Sequence, residues 1–263
     1  MTHRPMFVTL LTTLAMVTIG CGDDGTAQTG NGDAAAKGEL VVSAATSLKT
    51  ALTTYGKGFR GARVRFSFAG SDMLAAQLRQ GVRPDVFASA NTKLPDELFA
   101  AGLVQQPRAF AGNRLVIAVP TDTSKIRSLD DLTKDGVTIA AGSKSVPVGA
   151  YTRRVLARLD PTQSKAILGK VRSAEPDVAG IVGKLTQGAV DAGFVYITDV
   201  EGTAGRLTAI ELPAGLRPQV AYGVAVVKDA PNAVQAEIFV DGLLTGPGQK
   251  ALQDAGFEPP PPA

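Results

Sequence analysis

A short apolar strand that leads through small residues into an amphipathic helix most limits how this 263-residue chain can fold. The first copy spans residues 40–59, where an apolar run at 40–42 precedes Ser47. Ser47 stands where a helix N-cap is expected, and the apolar residues after it share one helical face. A helix that begins at the end of a strand presents unpaired N–H groups, which suit an anion.

The same arrangement recurs three more times along the chain. Ser71 opens the second helix, Val148 lies in the first turn of the third, and Val178 lies in the first turn of the fourth. Tyr196 ends the strand that follows the fourth helix. Two copies precede the apolar segment 115–119 and two follow it. Since small ligands bind at the carboxyl ends of strands in open α/β sheets, we expect a ligand between two lobes.

Strand-like and helical patterns alternate over residues 39–257, which predicts an α/β fold of two lobes with a cleft between them. Segments 115–119 and 221–227 are the predicted crossings between the lobes. We therefore assign residues 39–117 and 223–258 to lobe I and residues 118–222 to lobe II. The last residues, 259–263, form a proline-rich, extended tail.

The amino-terminal residues predict export and anchoring. Residues 1–20 combine an early basic residue, Arg4, with an apolar run that is too short to span a membrane, as in a signal peptide. Cys21 is the single cysteine, and residues 18–21 resemble a bacterial lipoprotein box, so Cys21 is the predicted lipidation site. Residues 21–38 lack the apolar side chains needed for a core and form the predicted flexible tether.

Composition argues against several functional classes. The net charge is only +3 and aromatic residues are scarce, so no nucleic-acid surface is predicted. The one histidine, His3, lies in the predicted signal peptide, which leaves the mature chain without a histidine-based catalytic triad or metal ligand. No nucleophile-elbow, phosphate-loop or dinucleotide motif occurs. We therefore predict no enzyme activity, no cofactor and no resident metal.

Five motifs, in order and spacing, resemble the molybdate-binding proteins of ABC importers, over residues 39–257. They are VVSAATSL at 41–48, FAGSDMLAAQLRQGVRPDVFASA at 68–90, SVPVGAY at 145–151, AEPDV at 174–178 and GFVYITD at 193–199. The resemblance implies a type II periplasmic-binding-protein fold that closes on molybdate or tungstate. It also implies delivery to a membrane permease driven by an ATPase. We expect a monomer in the cell envelope, held to the membrane by its lipid.

The resemblance implies five ligand-binding positions. Hydroxyls of Ser47, Ser71 and Tyr196 and the backbone N–H groups of Val148 and Val178 would donate to the oxyanion. A set made only of donors suits molybdate, a dianion that accepts hydrogen bonds and donates none.

Two questions stay open at this stage. Asp72 either faces away, as an acid favoured in the first turn of a helix, or accepts a proton from an anion such as hydrogen phosphate. Lys144, Arg153 and Arg154 either steer anions or lie on the solvated surface. The alternative functions are a sulfate or phosphate receptor and an envelope anion sensor that does not transport.

Overall fold

The computed structural model describes residues 38–122 and 124–262. The predicted signal peptide, Cys21 and almost all of the predicted tether therefore lie outside the described residues. Ten strands are assigned in this part of the chain: β1 Glu39–Ala45, β2 Arg63–Ala69, β3 Val86–Ser89, β4 Arg108–Asn113, β5 Leu115–Pro120, β6 Ile139–Gly142, β7 Val171–Glu175, β8 Ala192–Tyr196, β9 Leu207–Glu211 and β10 Val220–Val226.

Nine α-helices alternate with these strands within the same residues: α1 Lys49–Gly58, α2 Ser71–Arg79, α3 Lys93–Ala100, α4 Pro147–Leu156, α5 Pro161–Leu168, α6 Val178–Thr186, α7 Ile197–Glu201, α8 Ala233–Thr245 and α9 Pro247–Asp254. Three short 3₁₀ turns accompany them: Thr46–Leu48, Asp130–Thr133 and Ala214–Leu216. None of the helices described is long and apolar enough to cross a bilayer.

The strands form two five-stranded sheets of matching design, one in each lobe. The first has the order β2-β1-β3-β10-β4 and the second β7-β6-β8-β5-β9. In each sheet the first three strands are parallel, and the fourth is antiparallel to both of its neighbours. The predicted α/β fold with two lobes is confirmed.

The chain passes between the two sheets at Arg114 and again over residues 212–219. Segments 115–119 and 221–227, predicted as crossings, instead supply strands β5 and β10, which begin directly after these passages. Both strands are buried along almost their whole length, so they are central strands and not connectors. The exact lobe limits, at 117/118 and 222/223, stay a prediction.

The carboxyl end of the chain packs on the first sheet and on α1. Helix α1 buries Leu52 and Tyr55, and the ring of Tyr55 lies 4.6 Å from that of Phe239 in α8. The hydroxyl of Tyr55 donates to the carbonyl of Phe239 at 3.1 Å. Beyond α9, Glu258 exchanges both backbone hydrogen bonds with Gly112 of β4, so the start of the proline-rich tail lies along that strand.

Candidate functional site

A small cavity of about 20 Å³ lies at the carboxyl ends of the parallel strands of both sheets. A cavity needs a volume of about 10–15 Å³ to hold one water molecule, so this cavity is only slightly larger than one water requires. The lobes contribute lining residues in similar number: Ala45, Thr46, Ser47, Ala69, Gly70, Ser71 and Ala90 from the first, and Val146, Pro147, Val148, Asp177, Val178 and Tyr196 from the second.

All five residues predicted to bind the ligand line this one cavity. The helix starts that carry four of them come from distant parts of the sequence. They meet because each follows the carboxyl end of a parallel strand, and those ends are aligned by the register of the sheets, with Ala45 opposite Ala69 and Gly142 opposite Glu175. The structure therefore brings the predicted residues together, while their part in ligand binding stays a prediction.

The Ser47 hydroxyl does not cap a helix, contrary to the simplest expectation for its position. Ser47 lies inside the 3₁₀ turn Thr46–Leu48, whose cap is Ala45, and Leu48 occupies the N-cap of α1. The Ser47 hydroxyl lies instead 3.0 Å from that of Tyr222. Because Ser47 lies within the 3₁₀ turn and not at the cap position, the Ser47 side chain is free to contact Tyr222 and the cavity.

Within residues 38–122 and 124–262, the Ser71 hydroxyl has one hydrogen-bond partner, which donates to it. Ser71 is the first residue of α2 and is 1% exposed. Its Oγ accepts a hydrogen bond from the N–H of Ala90 at 3.1 Å. Its own proton remains available for an acceptor in the cavity.

Val148 and Val178 present backbone N–H groups at helix starts. Val148 is the second residue of α4, after Pro147, and Val178 is the first residue of α6. N–H groups of the first helical turn have no carbonyl of their own helix to pair with. The Asp177 side chain, which caps α6, accepts from Gly180 and not from Val178. Both valine N–H groups are thus placed to donate into the cavity.

The Tyr196 hydroxyl is buried without a hydrogen-bond partner among the described residues. Tyr196 ends β8 and is 1% exposed. Burial raises its pKa well above the usual value, so the hydroxyl stays protonated and can donate. Since an unsatisfied buried hydroxyl costs about 1–3 kcal/mol, this group calls for an acceptor in the cavity.

Among the described residues, no cationic side chain lines this cavity, and Asp177 is the one charged residue in the lining. Lys144, Arg153 and Arg154 are not among the lining residues; Arg154 lies over the ring of Tyr151 at 5.3 Å. Any anion held in this cavity would be bound by neutral hydroxyl and amide donors. Within the described residues, no group of three or more histidine, cysteine or acidic side chains is arranged for a metal ion.

Asp72 lies beside the cavity and does not line it. Its Oδ1 is buried and has no hydrogen-bond partner in the described part of the chain. That atom lies 3.0 Å from where a side chain on Gly70 would begin, next to the carbonyl of Pro176 across the cleft. Asp72 therefore sits beside the cavity at the contact between the lobes, and its role as an acceptor for a protonated anion stays a prediction.

Asp199, behind the cavity, has a raised pKa. The pKa of Asp199 is raised to about 7: burial is the main cause, a hydrogen bond from the Tyr196 N–H opposes the shift, and the nearby charge of Asp177 adds to it. That bond measures 3.1 Å. Asp199 is thus poised to gain or lose a proton near neutral pH.

Sequence reasoning missed the polar residues behind the cavity. Asn113 ends β4, Thr198 and Asp199 belong to α7, and Tyr222 lies within β10. In the sequence these residues stand out only as polar side chains within apolar segments. That pattern does not indicate which residues they contact.

Two α/β lobes that enclose one small cavity of neutral donors define a two-lobed binding protein for a small solute. The chain belongs to the family of bacterial extracellular solute-binding proteins, whose model matches residues 40–258. It is 35% identical over 248 residues to the molybdate-binding protein ModA of Mycobacterium tuberculosis strain H37Rv, and this match covers 92% of the chain and 93% of that relative.

Two solved structures show the same fold. The periplasmic molybdate-binding protein of Azotobacter vinelandii matches with a TM-score of 0.76 at 22% identity, over 84% of this chain and all of that one. The sulfate-binding protein SubI of Mycobacterium tuberculosis H37Rv matches with a TM-score of 0.75 at 17% identity, over 84% and 87% of the two chains. At such low identity these matches speak for the fold alone.

Proposed function

We propose that this protein captures molybdate or tungstate outside the cytoplasm and delivers it to the permease of an ABC importer. The observation that carries the proposal is the buried Tyr196 hydroxyl, which lines the cavity and has no partner in the described part of the chain. A bound oxyanion would supply the missing acceptor. The similarity to the mycobacterial molybdate-binding protein supports this choice of anion.

The chemistry of the lining supports a fully deprotonated oxyanion. The proposed donors among the lining groups are the hydroxyls of Ser47, Ser71 and Tyr196 and the backbone N–H groups of the two valines, and molybdate offers them only acceptors. A hydrogen bond to a charged group contributes about 1.5–3 kcal/mol, so four such bonds would supply roughly 6–12 kcal/mol. Micromolar affinity needs about 8 kcal/mol. Neutral donors are therefore sufficient, and no cationic side chain is required.

Size must separate molybdate from sulfate, because the two carry the same charge and the same demand for donors. Tungstate resembles molybdate in both respects, so the proposal includes both ions. Hydrogen phosphate is disfavoured for a different reason: its proton would meet another donor at each of the five proposed ligand-binding positions.

We also propose that Cys21 carries the lipid anchor and that the protein is a receptor without enzyme activity. The lipoprotein-like residues 18–21 and the apolar run before them support the anchor. The family of extracellular solute-binding proteins supports the receptor role. Closure of the two lobes on the anion would let a permease distinguish the loaded receptor from the empty one.

Calorimetric titration of the purified protein at neutral pH tests the choice of anion. We expect molybdate and tungstate to bind with at least micromolar affinity, sulfate to bind more weakly, and phosphate to bind weakest. A preference for phosphate would overturn the proposal and would direct attention to Asp72. A preference for sulfate would keep the receptor role and exclude molybdate as the cargo.

Removal of either serine hydroxyl should weaken molybdate binding. We expect Ser47→Ala and Ser71→Ala each to lose about 1–3 kcal/mol of binding free energy, roughly a 5- to 150-fold rise in Kd, because each loses a bond to a charged ligand. Ser145→Ala is the matched control, since Ser145 is exposed and does not line the cavity. Unchanged affinity in both serine variants would remove these residues from the site.

Molybdate binding should weaken as the pH rises through 7, because Asp199 ionises there and repels the anion. A bound dianion would raise the pKa of Asp199 further, so binding should take up protons near pH 7. The other charged groups that face Asp199 are Asp177 and, in an adjoining cavity, Lys49, Glu201, Arg206 and Asp254.

Calorimetry in buffers of different ionisation enthalpy measures this proton uptake. In the unsubstituted protein we expect the molybdate affinity to fall about three- to tenfold between pH 6 and pH 8. Asp199→Asn retains an acceptor for the Tyr196 N–H. We expect this variant to take up no proton on binding and to have the same molybdate affinity at both pH values. Identical pH profiles in the two proteins would exclude Asp199 as the titrating group.

A further inference from the structure

A chain of buried hydrogen bonds leads to the Ser47 hydroxyl from behind the cavity. The Asn113 amide nitrogen donates to the Tyr222 hydroxyl at 3.3 Å and to the Thr198 hydroxyl at 2.9 Å. The Tyr222 hydroxyl lies in turn 3.0 Å from Ser47 Oγ. Neither Asn113 nor Tyr222 lines the cavity.

The orientation of the Asn113 amide is determined by its other end. Its Oδ1 accepts from the backbone N–H of Arg114 at 2.8 Å, so its NH₂ group faces Tyr222 and Thr198. Asn113 is 4% exposed and Tyr222 is fully buried, so water does not compete for these bonds. Burial also raises the pKa of Tyr222 well above the usual value, which keeps its hydroxyl protonated.

These contacts give the chain a direction. The Tyr222 oxygen accepts from Asn113, and the Ser47 oxygen is the one acceptor within hydrogen-bond distance of the Tyr222 hydroxyl among the described residues, so the Tyr222 proton is directed to Ser47. Ser47 then accepts from Tyr222, and its proton is left for the cavity. Ser71 is held in the same sense, since its oxygen accepts from the N–H of Ala90. Each serine thus receives one bond from a fixed donor and presents its proton to the ligand.

We propose that Tyr222 and Asn113 are positioning residues that commit Ser47 to act as a donor, and that they thereby exclude oxyanions that carry a proton. The inference rests on the proposed function and adds the residues that determine selectivity. A serine free to turn can accept a hydrogen bond from the hydroxyl of hydrogen phosphate. To accept from hydrogen phosphate, Ser47 would have to turn its own proton out of the cavity and toward Tyr222. Tyr222 already donates to Ser47, so the Ser47 proton would then have no acceptor.

Tyr222→Phe tests the inference through a ratio of affinities. The variant removes the donor to Ser47 and keeps the ring that packs on Phe257 at 5.3 Å. We expect Ser47 to become able to accept, so the affinity for inorganic phosphate relative to sulfate should rise by at least about fivefold at pH 7. Sulfate has no proton at this pH and controls for general damage to the site. The molybdate affinity of Tyr222→Phe should fall by less than about fivefold.

Two further variants separate this role from a merely structural one. Asn113→Asp places a carboxylate oxygen where the amide donates, so the Tyr222 proton should turn toward it and away from Ser47. The same rise in the phosphate-to-sulfate ratio is expected, even if all dianions bind more weakly. Tyr151→Phe removes a tyrosine hydroxyl from another buried ring, 6.5 Å from that of Tyr196, and should leave the ratio unchanged.

The outcomes distinguish this inference from the proposed function. If the unsubstituted protein binds molybdate and both variants fold but keep the original phosphate-to-sulfate ratio, the positioning role is wrong and the receptor role stands. If the unsubstituted protein binds no molybdate, the proposed function fails first. If Tyr222→Phe does not fold, Asn113→Asp decides the question by the same ratio.

Discussion

Gly70→Ala is expected to lower molybdate affinity by about 10- to 100-fold without lowering the stability of the unliganded protein. Gly70 caps α2 in the first lobe, and a Cβ there would lie 2.4 Å from the carbonyl oxygen of Pro176 in the second. Carbon and oxygen do not approach so closely, so the lobes would have to separate. The donors of the second lobe would then move out of reach of the anion.

The severe contact, with Pro176, is one between the lobes; the other close atom, Asp72 Oδ1 at 3.0 Å, is the end of a side chain that can turn aside. The backbone at Gly70, with φ −58° and ψ 137°, is accessible to alanine, so the substitution introduces no backbone strain. Rotation of the lobes about their two connections would relieve the contact in the unliganded protein. We therefore expect an unchanged melting temperature without ligand, and little of the rise that molybdate produces in the unsubstituted protein.

Gly58→Ala is the matched control for this experiment. Gly58 is the last residue of α1, is exposed, and would place its Cβ in open space. Small-angle scattering adds a direct readout: the unsubstituted protein and the control should contract on binding molybdate, and Gly70→Ala should not. A Gly70→Ala variant that binds and contracts normally would show that Gly70 and Pro176 do not meet in the loaded state.

The parts of the site that local sequence could predict are those that local structure builds. A strand, a small-residue turn and a helix start are formed by neighbouring residues, so the helix starts at Ser71, Val148 and Val178 could be predicted from their own surroundings. Their role as donors to an anion came from the resemblance to molybdate-binding proteins. Parallel pairing then brings such starts to one edge of each sheet without further information. For this reason the two-lobed α/β fold and the group of lining residues could be predicted together.

The polar contacts behind the site could not be predicted in this way. Ser47 and Tyr222 lie 175 residues apart, and Asn113 and Tyr222 lie 109 apart, so their pairing depends on both passages between the lobes. The prediction that Ser47 occupies a cap position was wrong because a 3₁₀ turn, Thr46–Leu48, precedes α1. Residue propensities do not distinguish a 3₁₀ turn from the first turn of an α-helix. Asp199 is similar: its raised pKa comes from burial, which only the packed fold creates.

Asp85→Ala is expected to lower the free energy of unfolding by about 3–5 kcal/mol, because it removes a buried carboxylate and leaves several partly buried donors without an acceptor. Asp85 is 1% exposed and lies just before β3. Its carboxylate accepts from the N–H of Val41 at 2.7 Å and from that of Asn232 at 2.9 Å, and the Asn232 side chain adds further bonds. One side chain thus joins β1, β3 and the segment that leads into α8.

This change should affect stability and leave binding intact, the reverse of Gly70→Ala. Asp85 lies at the amino ends of β1 and β3, whereas the cavity lies at their carboxyl ends. Denaturant titration measures the loss, and calorimetry at low temperature should still give the molybdate affinity of the unsubstituted protein. Asp96→Ala, an exposed acid in the first turn of α3, is the control and should cost less than about 1 kcal/mol. Equal stability of both variants would mean that Asp85 does not hold these three segments together.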